Sequence, residues 1–175
     1  ARTPSQRRPK GAGESLRYAF SPCPLGLLLV AASDKGVCAL LFGDNEQELL
    51  SELQSRFAAA ELLHDQTGLG DWLQPILAHL DEPSRAVRLP LDLRGSAFQH
   101  RVWQALQDIP PGQTRRYGEL AESLGSHARA VARACASNPV GLLVPCHRVV
   151  GANPSPTGYR WGSGRKQRLL DIEGA

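Results

Sequence analysis

Cys146, His147 and Arg148 stand side by side, flanked by Pro145 and by Val149 and Val150, and Glu173 follows in the last predicted helix. These residue types place a nucleophile, a base and an orienting carboxylate within reach of one site. A cysteine attacks as its thiolate, and a free thiol with a pKa of about 8.5 holds little of that form near neutrality unless a base takes the proton. His147 is the candidate base. In an extended strand successive side chains point to opposite faces, so a bridging water is an easier link to Cys146 than direct contact. Glu173 lies four residues after Leu169 and three after Leu170. In a helix it shares their apolar face, where an unpaired carboxylate is costly and a buried partner is expected. Pro145 stiffens the approach to the thiol, and Arg148 adds positive charge that favours thiolate. The plain structural alternatives are a small buried hydrophobe, a satisfied core histidine and a solvated helix end.

The elements that must position these groups are predicted from apolar spacing. Three short apolar runs from Leu16 to Phe42, broken by Pro24, Asp34 and Gly36, read as strands, and Glu46 to Phe57 and Trp72 to His79 read as helices. The fold class is therefore an α/β N-terminal domain, a small antiparallel sheet with helices, followed by a mostly helical C-terminal domain. Pro83 to Leu93, with one strand, joins the two. Ser96 is a predicted helix N-cap, with Phe98, Val102, Trp103 and Leu106 recurring on one face. Tyr117 to Leu124 and Ala128 to Ser137 are two short helices around the turn Gly125, Ser126, His127, the outline of a helix-turn-helix. In the second of them Ala128, Ala130, Ala132, Ala134 and Ala136 keep the helix slim. Arg129 and Arg133 project from one side, Val131 and Cys135 from the other. The alternative is a helix packed through its alanines with two solvated arginines.

Charge is uneven along the chain. Residues 1–13 carry a net charge of +4, residues 14–94 a net −6 and residues 95–175 a net +5. The basic half holds Cys146 and suits a polyanionic partner. The boundaries read as a basic linker over 1–13, an α/β domain over 14–90 and the reactive domain over 91–175. The four cysteines, at 23, 38, 135 and 146, lack the spacing of a zinc site and read as free thiols, so no metal is expected. No run is long enough to span a membrane, and a reducing cytoplasm is the expected setting. The chain begins with Ala and contains no Met, and is read as a piece of a longer protein.

The run Pro145 to Val150 resembles the active-site sequence of the O6-alkylguanine-DNA alkyltransferases. Phe98, Val102, Trp103, Leu106, Ile109, Pro110, Gly112 and Tyr117 stand in the family's order before it, as do Asn138 and Pro139; Gly158, Tyr159, Arg160, Trp161 and Gly162 follow it. In detail the chain resembles the C-terminal half of a bacterial adaptive-response protein, which implies fusion to an N-terminal sensor and regulator domain. The resemblance implies a monomer, without cofactor, acting on double-stranded DNA that contains O6-alkylguanine, with O4-alkylthymine as a further candidate. It also implies roles. Arg129, on a helix that enters the minor groove through Ala128 and Ala130, fills the gap left by a flipped nucleotide; Arg133 is not a family motif position. Flipping is required because O6 lies in the major groove inside the stack. Tyr117 hydrogen-bonds or protonates the guanine ring, Asn138 organises the turn beside the thiol, and Tyr159 walls the pocket. Carbonyls of Cys146 and Val149 read the exocyclic amine, and a backbone amide near Arg160 meets O6. Cys146 displaces guanine in line and keeps the alkyl group as a thioether, which water cannot release as it does a thioester, so one turnover per chain is expected.

Two readings from other classes compete. A Cys-His-Glu hydrolase uses the same residue types but needs an oxyanion hole and turns over repeatedly. A non-enzymatic lesion sensor lacks the reactive cysteine, and Cys146 is present. The loop Asn153 to Thr157 departs from the pattern: Pro154 and Pro156 replace a glycine-containing turn and predict a stiffer pocket rim.

Overall fold

The computed structural model describes residues 13–152 and 158–175. The predicted linker, apart from Gly13, and the proline-bearing loop 153–157 therefore lie outside the described residues. Three strands open the fold, β1 (Ser15–Cys23), β2 (Gly26–Ala32) and β3 (Val37–Gly43), paired as an antiparallel meander. After α1 (Glu46–Arg56), a short strand β4 (Glu61–His64) lies parallel to β1, so the sheet order is β3-β2-β1-β4 and the sheet is mixed rather than purely antiparallel. The helical crossover permits this, since a parallel neighbour needs a connection that returns to the same end. Every residue of β3 is buried. Such a continuous apolar strand is covered on both faces.

Helix α1 starts where the sequence directs it, with Asn45 Oδ1 accepting from the Glu48 amide at 2.8 Å. Helix α2 (Gly70–Asp81) is longer than the predicted Trp72 to His79, and it accommodates Pro75 inside. The strand expected within Pro83 to Leu93 shrinks to one bridge, Val37 with Leu91. The cause is local: Pro83 and Pro90 offer no amide to a ladder.

The second half is helical, as expected. Helix α3 (Ala97–Gln107) begins with a capping box in which Ser96 and Gln99 satisfy each other's amides. It buries Val102, Trp103 and Leu106, each worth about 1.5–3 kcal/mol of transfer out of water. A two-residue strand β5 (Arg115–Arg116) pairs in parallel with β6 (Val149–Val150). Between them run α4 (Tyr117–Ser123) and α5 (Ala128–Ala136), joined by a turn through Gly125 at φ +65°. The chain closes with α6 (Ser163–Glu173), stopped by Gly174 in the left-handed region.

The two halves share backbone bonds. Leu40 in β3 donates to the Pro139 carbonyl and accepts from the Gly141 amide, both at 2.9 Å. The sheet edge thereby holds the segment that leads from α5 to Cys146. Within that segment Leu142 is buried at φ +69°, a conformation costly for a non-glycine residue and kept by its surroundings.

Candidate active site and nucleic-acid interface

Cys146, His147 and Arg148 form a single 3-10 turn rather than an extended strand. A short apolar run is ambiguous by periodicity. Here Pro145 adopts φ −82°, and the Cys146 carbonyl accepts from the Val149 amide to close the turn. The bend lets three consecutive side chains take separate tasks.

Sulfur is the first. Cys146 is 3% exposed, and burial pushes its thiol up to about 11, opposed by a hydrogen bond from Asn138 and by the charge of Lys166. The resting group is thus a thiol that needs a base. The Asn138 amide donates to Sγ at 3.3 Å and to the Val144 carbonyl at 2.8 Å, while its Oδ1 accepts from the Val140 amide at 2.9 Å. With every polar atom engaged, Asn138 has a fixed orientation.

His147 is the second. Its Nε2 lies 3.0 Å from a Glu173 oxygen, and burial lowers its pKa against the pull of that carboxylate, so the ring rests neutral and able to accept a proton. Its buried Nδ1 has no hydrogen-bond partner among the described residues, and neither has the buried hydroxyl of Tyr159. The Tyr159 ring stands edge-on to His147 with centroids 6.5 Å apart.

Arg148 behaves differently from the expectation that it would favour the thiolate. Its guanidinium grips Glu173 through Nε at 2.9 Å and Nη2 at 2.6 Å, and Nη1 donates to the Ile109 carbonyl at 2.6 Å. A buried cation must be matched, and the matching anion is Glu173. Burial pushes the Glu173 carboxyl up, its side chain being 1% exposed, but the hydrogen bonds from His147 and Arg148 together with the charge around it hold it at about 2. The solvated-end alternative for Glu173 is therefore wrong.

Tyr117 opens α4, half-buried, and burial with the neighbouring thiols pushes its hydroxyl pKa well up, so it stays a donor. The Gly158 Cα carries no side chain where a Cβ would meet the Tyr117 hydroxyl at 3.5 Å. Arg160, grouped with the pocket residues, directs its guanidinium to Glu52. Val149 is buried and bonded through its carbonyl.

On α5 the amphipathic reading is borne out: Val131, Ala134 and Cys135 face the core, and Ala128, Arg129 and Arg133 are exposed. His127, read as a turn residue, also caps the helix through Nδ1 on the Ala130 amide at 3.3 Å. Trp103 Nε1 donates to the Ala134 carbonyl at 2.9 Å and ties α5 to α3.

Residues 16–93 match the ribonuclease-like domain of 6-O-methylguanine DNA methyltransferase, and residues 97–175 match its DNA binding domain. A methylated-DNA–protein-cysteine methyltransferase of Mycolicibacterium paratuberculosis is 42% identical over 90% of this chain and 92% of that protein. The chain belongs to the 6-O-methylguanine DNA methyltransferase family. The bifunctional transcriptional activator/DNA repair enzyme Ada of Escherichia coli is 44% identical over 98% of the chain, and the chain spans 49% of that relative's length. The fold is shared with Mycobacterium tuberculosis OGT in complex with DNA, at a TM-score of 0.75, 34% identity and coverage of 90% and 92% of the two chains.

Within this methyltransferase fold, two site residues escaped the sequence reading. Lys166 is fully buried, donates through Nζ to the Val149 carbonyl at 2.6 Å and lies 5.6 Å from the centre of the Tyr117 ring. Burial lowers its pKa. The spacing that singled out Glu173 finds it, since Lys166, Leu169, Leu170 and Glu173 form one i, i+3, i+4, i+7 stripe. His79 from α2 approaches the same Glu173 oxygen at 4.0 Å. No local signal marks it.

Proposed function

We propose that this chain reverses DNA damage directly, transferring a methyl or other alkyl group from O6-alkylguanine in duplex DNA to Cys146, once per chain. The observation that carries the reading is the buried thiol bonded to Asn138, beside a neutral imidazole whose far nitrogen is held by an ionised carboxylate. The proton of Cys146 passes to His147 Nδ1, by way of a bridging water, as the Glu173 carboxylate, held in place by Arg148, offsets the imidazolium that forms. The thiolate attacks the alkyl carbon, the bond from that carbon to O6 breaks, and the electron pair leaves with guanine. Tyr117 donates to the departing ring, and Tyr159 walls the pocket. Val149 and the backbone at Arg160 meet the base edge. No cofactor enters the sequence.

Helix α5 is the reading element of a helix-turn-helix, entering the minor groove through Ala128 and Ala130 while Arg129 fills the space of the flipped nucleotide. Its partners are duplex DNA carrying O6-alkylguanine, or O4-alkylthymine as a further lesion. The working form is a monomer with domains over 14–90 and 91–175, placed in the cytoplasm; among the described residues no helix is long and apolar enough to cross a membrane. Incubation with an O6-methylguanine duplex, read by intact mass, should add one methyl group on Cys146 and none in Cys146→Ala. Repeated turnover would favour the hydrolase.

A further inference from the structure

The side chain of Arg160 spans the two halves of the fold. Its Nη2 donates to Glu52 of α1 at 2.7 Å, while Nη1 donates to the carbonyls of Ala136 at 3.2 Å and Asn138 at 3.4 Å. The guanidinium lies over the Trp161 ring, 4.9 Å from its centre, and Trp161 stands edge-on to Phe42 of β3 and to Tyr159. One cation thus touches the sheet half, the last residue of α5 and the residue whose amide holds the Cys146 sulfur.

We propose that Glu52 and Arg160 are a positioning pair through which the sheet half holds the end of α5 and the Asn138 turn in place against Cys146. The last carbonyls of a helix lack intrahelical partners and carry partial negative charge, so a cation there is favourable. A guanidinium has a planar fork, and an anion on one edge fixes where the other edge points. Glu52 is that anion. It also accepts from Arg56 at 3.3 Å, which fixes the carboxylate in turn. Asn138 makes its contact with sulfur only if its backbone stays where Val140 and Val144 can both engage its amide group. Loosening the turn therefore lengthens the 3.3 Å contact to sulfur before it disturbs the core. Both side chains of the ion pair are partly open to water, 20% and 27%, so it contributes little to stability, and its effect is on geometry.

The proposal rests on the reading of Cys146 as the acceptor. The test compares wild type, Glu52→Gln, Arg160→Ala, Arg160→Lys and the Glu52→Gln/Arg160→Ala double variant. Single-turnover rates are measured on an O6-methylguanine duplex, the pH profile of Cys146 alkylation on free O6-benzylguanine, and folding by thermal unfolding. Glu52→Gln should slow transfer about fivefold with an unchanged unfolding midpoint, the scale of a coupling between partly exposed groups. Its alkylation profile should move to higher pH, because a weaker bond from Asn138 supports less thiolate. Arg160→Lys should keep part of the rate, and Glu52→Gln should add nothing once Arg160 is Ala. A wild-type rate in Glu52→Gln, additive losses in the double variant, or a slower rate with an unmoved pH profile would each overturn the proposal. A wild type that takes up no alkyl group overturns the functional reading and this one with it.

Discussion

The side-chain amide of Asn138 donates to the sulfur of Cys146 across 3.3 Å, from a residue that is itself completely buried. The bond opposes the burial that pushes the thiol up to about 11. Asn138→Ala should therefore slow alkyl transfer by about tenfold or more and shift the pH profile of Cys146 upward. It should also cost about 1–3 kcal/mol of stability, because the buried Val140 amide loses its acceptor. Asn138→Asp separates the two effects: it keeps an acceptor for Val140 and puts negative charge beside the sulfur. Quenched-flow transfer and urea unfolding measure them, and a wild-type rate in both variants would remove Asn138 from the chemistry.

Stability should fall steeply in acid. The Glu173 carboxyl is lowered from 4.5 to about 2, so the folded state favours the ionised form. Its contribution is fully present above about pH 4.5 and is lost as pH falls toward about 2. His147 acts in the same direction, because its pKa is lowered from 6.5 and protonation on acidification favours the unfolded chain. Glu173→Gln should be less stable at neutrality and show a flatter stability curve between pH 5 and pH 2, on the order of 1 kcal/mol per unit flatter. It should bind duplex DNA normally and transfer slowly. Denaturant titrations across that range check the slope.

Arg129 and Arg133 are both exposed on α5, four residues apart, yet their expected effects differ. Arg129→Ala should lose most of its rate on duplex DNA and much less on free O6-benzylguanine, where no base is extruded. Arg133→Ala should weaken binding evenly across sequences and reduce the salt dependence by about one unit of slope, as a phosphate contact does. Equal losses for Arg129→Ala on duplex and free base would assign it to the pocket or the fold instead.

Lys166 carries a buried positive charge that opposes the upward shift of the Cys146 thiol. Lys166→Met keeps most of the volume and removes the charge. The variant should fold, with about 1 kcal/mol lost where the Val149 carbonyl gives up its donor. Its Cys146 should require higher pH for alkylation, visible as an upward displacement of the iodoacetamide rate profile. An unmoved profile would limit Lys166 to holding the Val149 carbonyl.

Local physics, acting over a few residues, accounts for one part of this molecule. The Ser96 N-cap, the stripe of Val102, Trp103 and Leu106, the two faces of α5 and the pairing of Glu173 with His147 follow from spacings of three and four residues or from one run of residue types. The composition of 145–150 marked the nucleophile and its base. The other part depends on contacts between distant segments. Cys146 to Arg148 became a 3-10 turn, and Arg148 was directed to Glu173 and to the Ile109 carbonyl. Lys166 was buried beside the thiol, and Glu52 met Arg160 across 108 positions of sequence. Burial and long-range charge pairing set those outcomes, because the low dielectric of a packed interior makes each buried charge depend on which partner the whole fold brings to it.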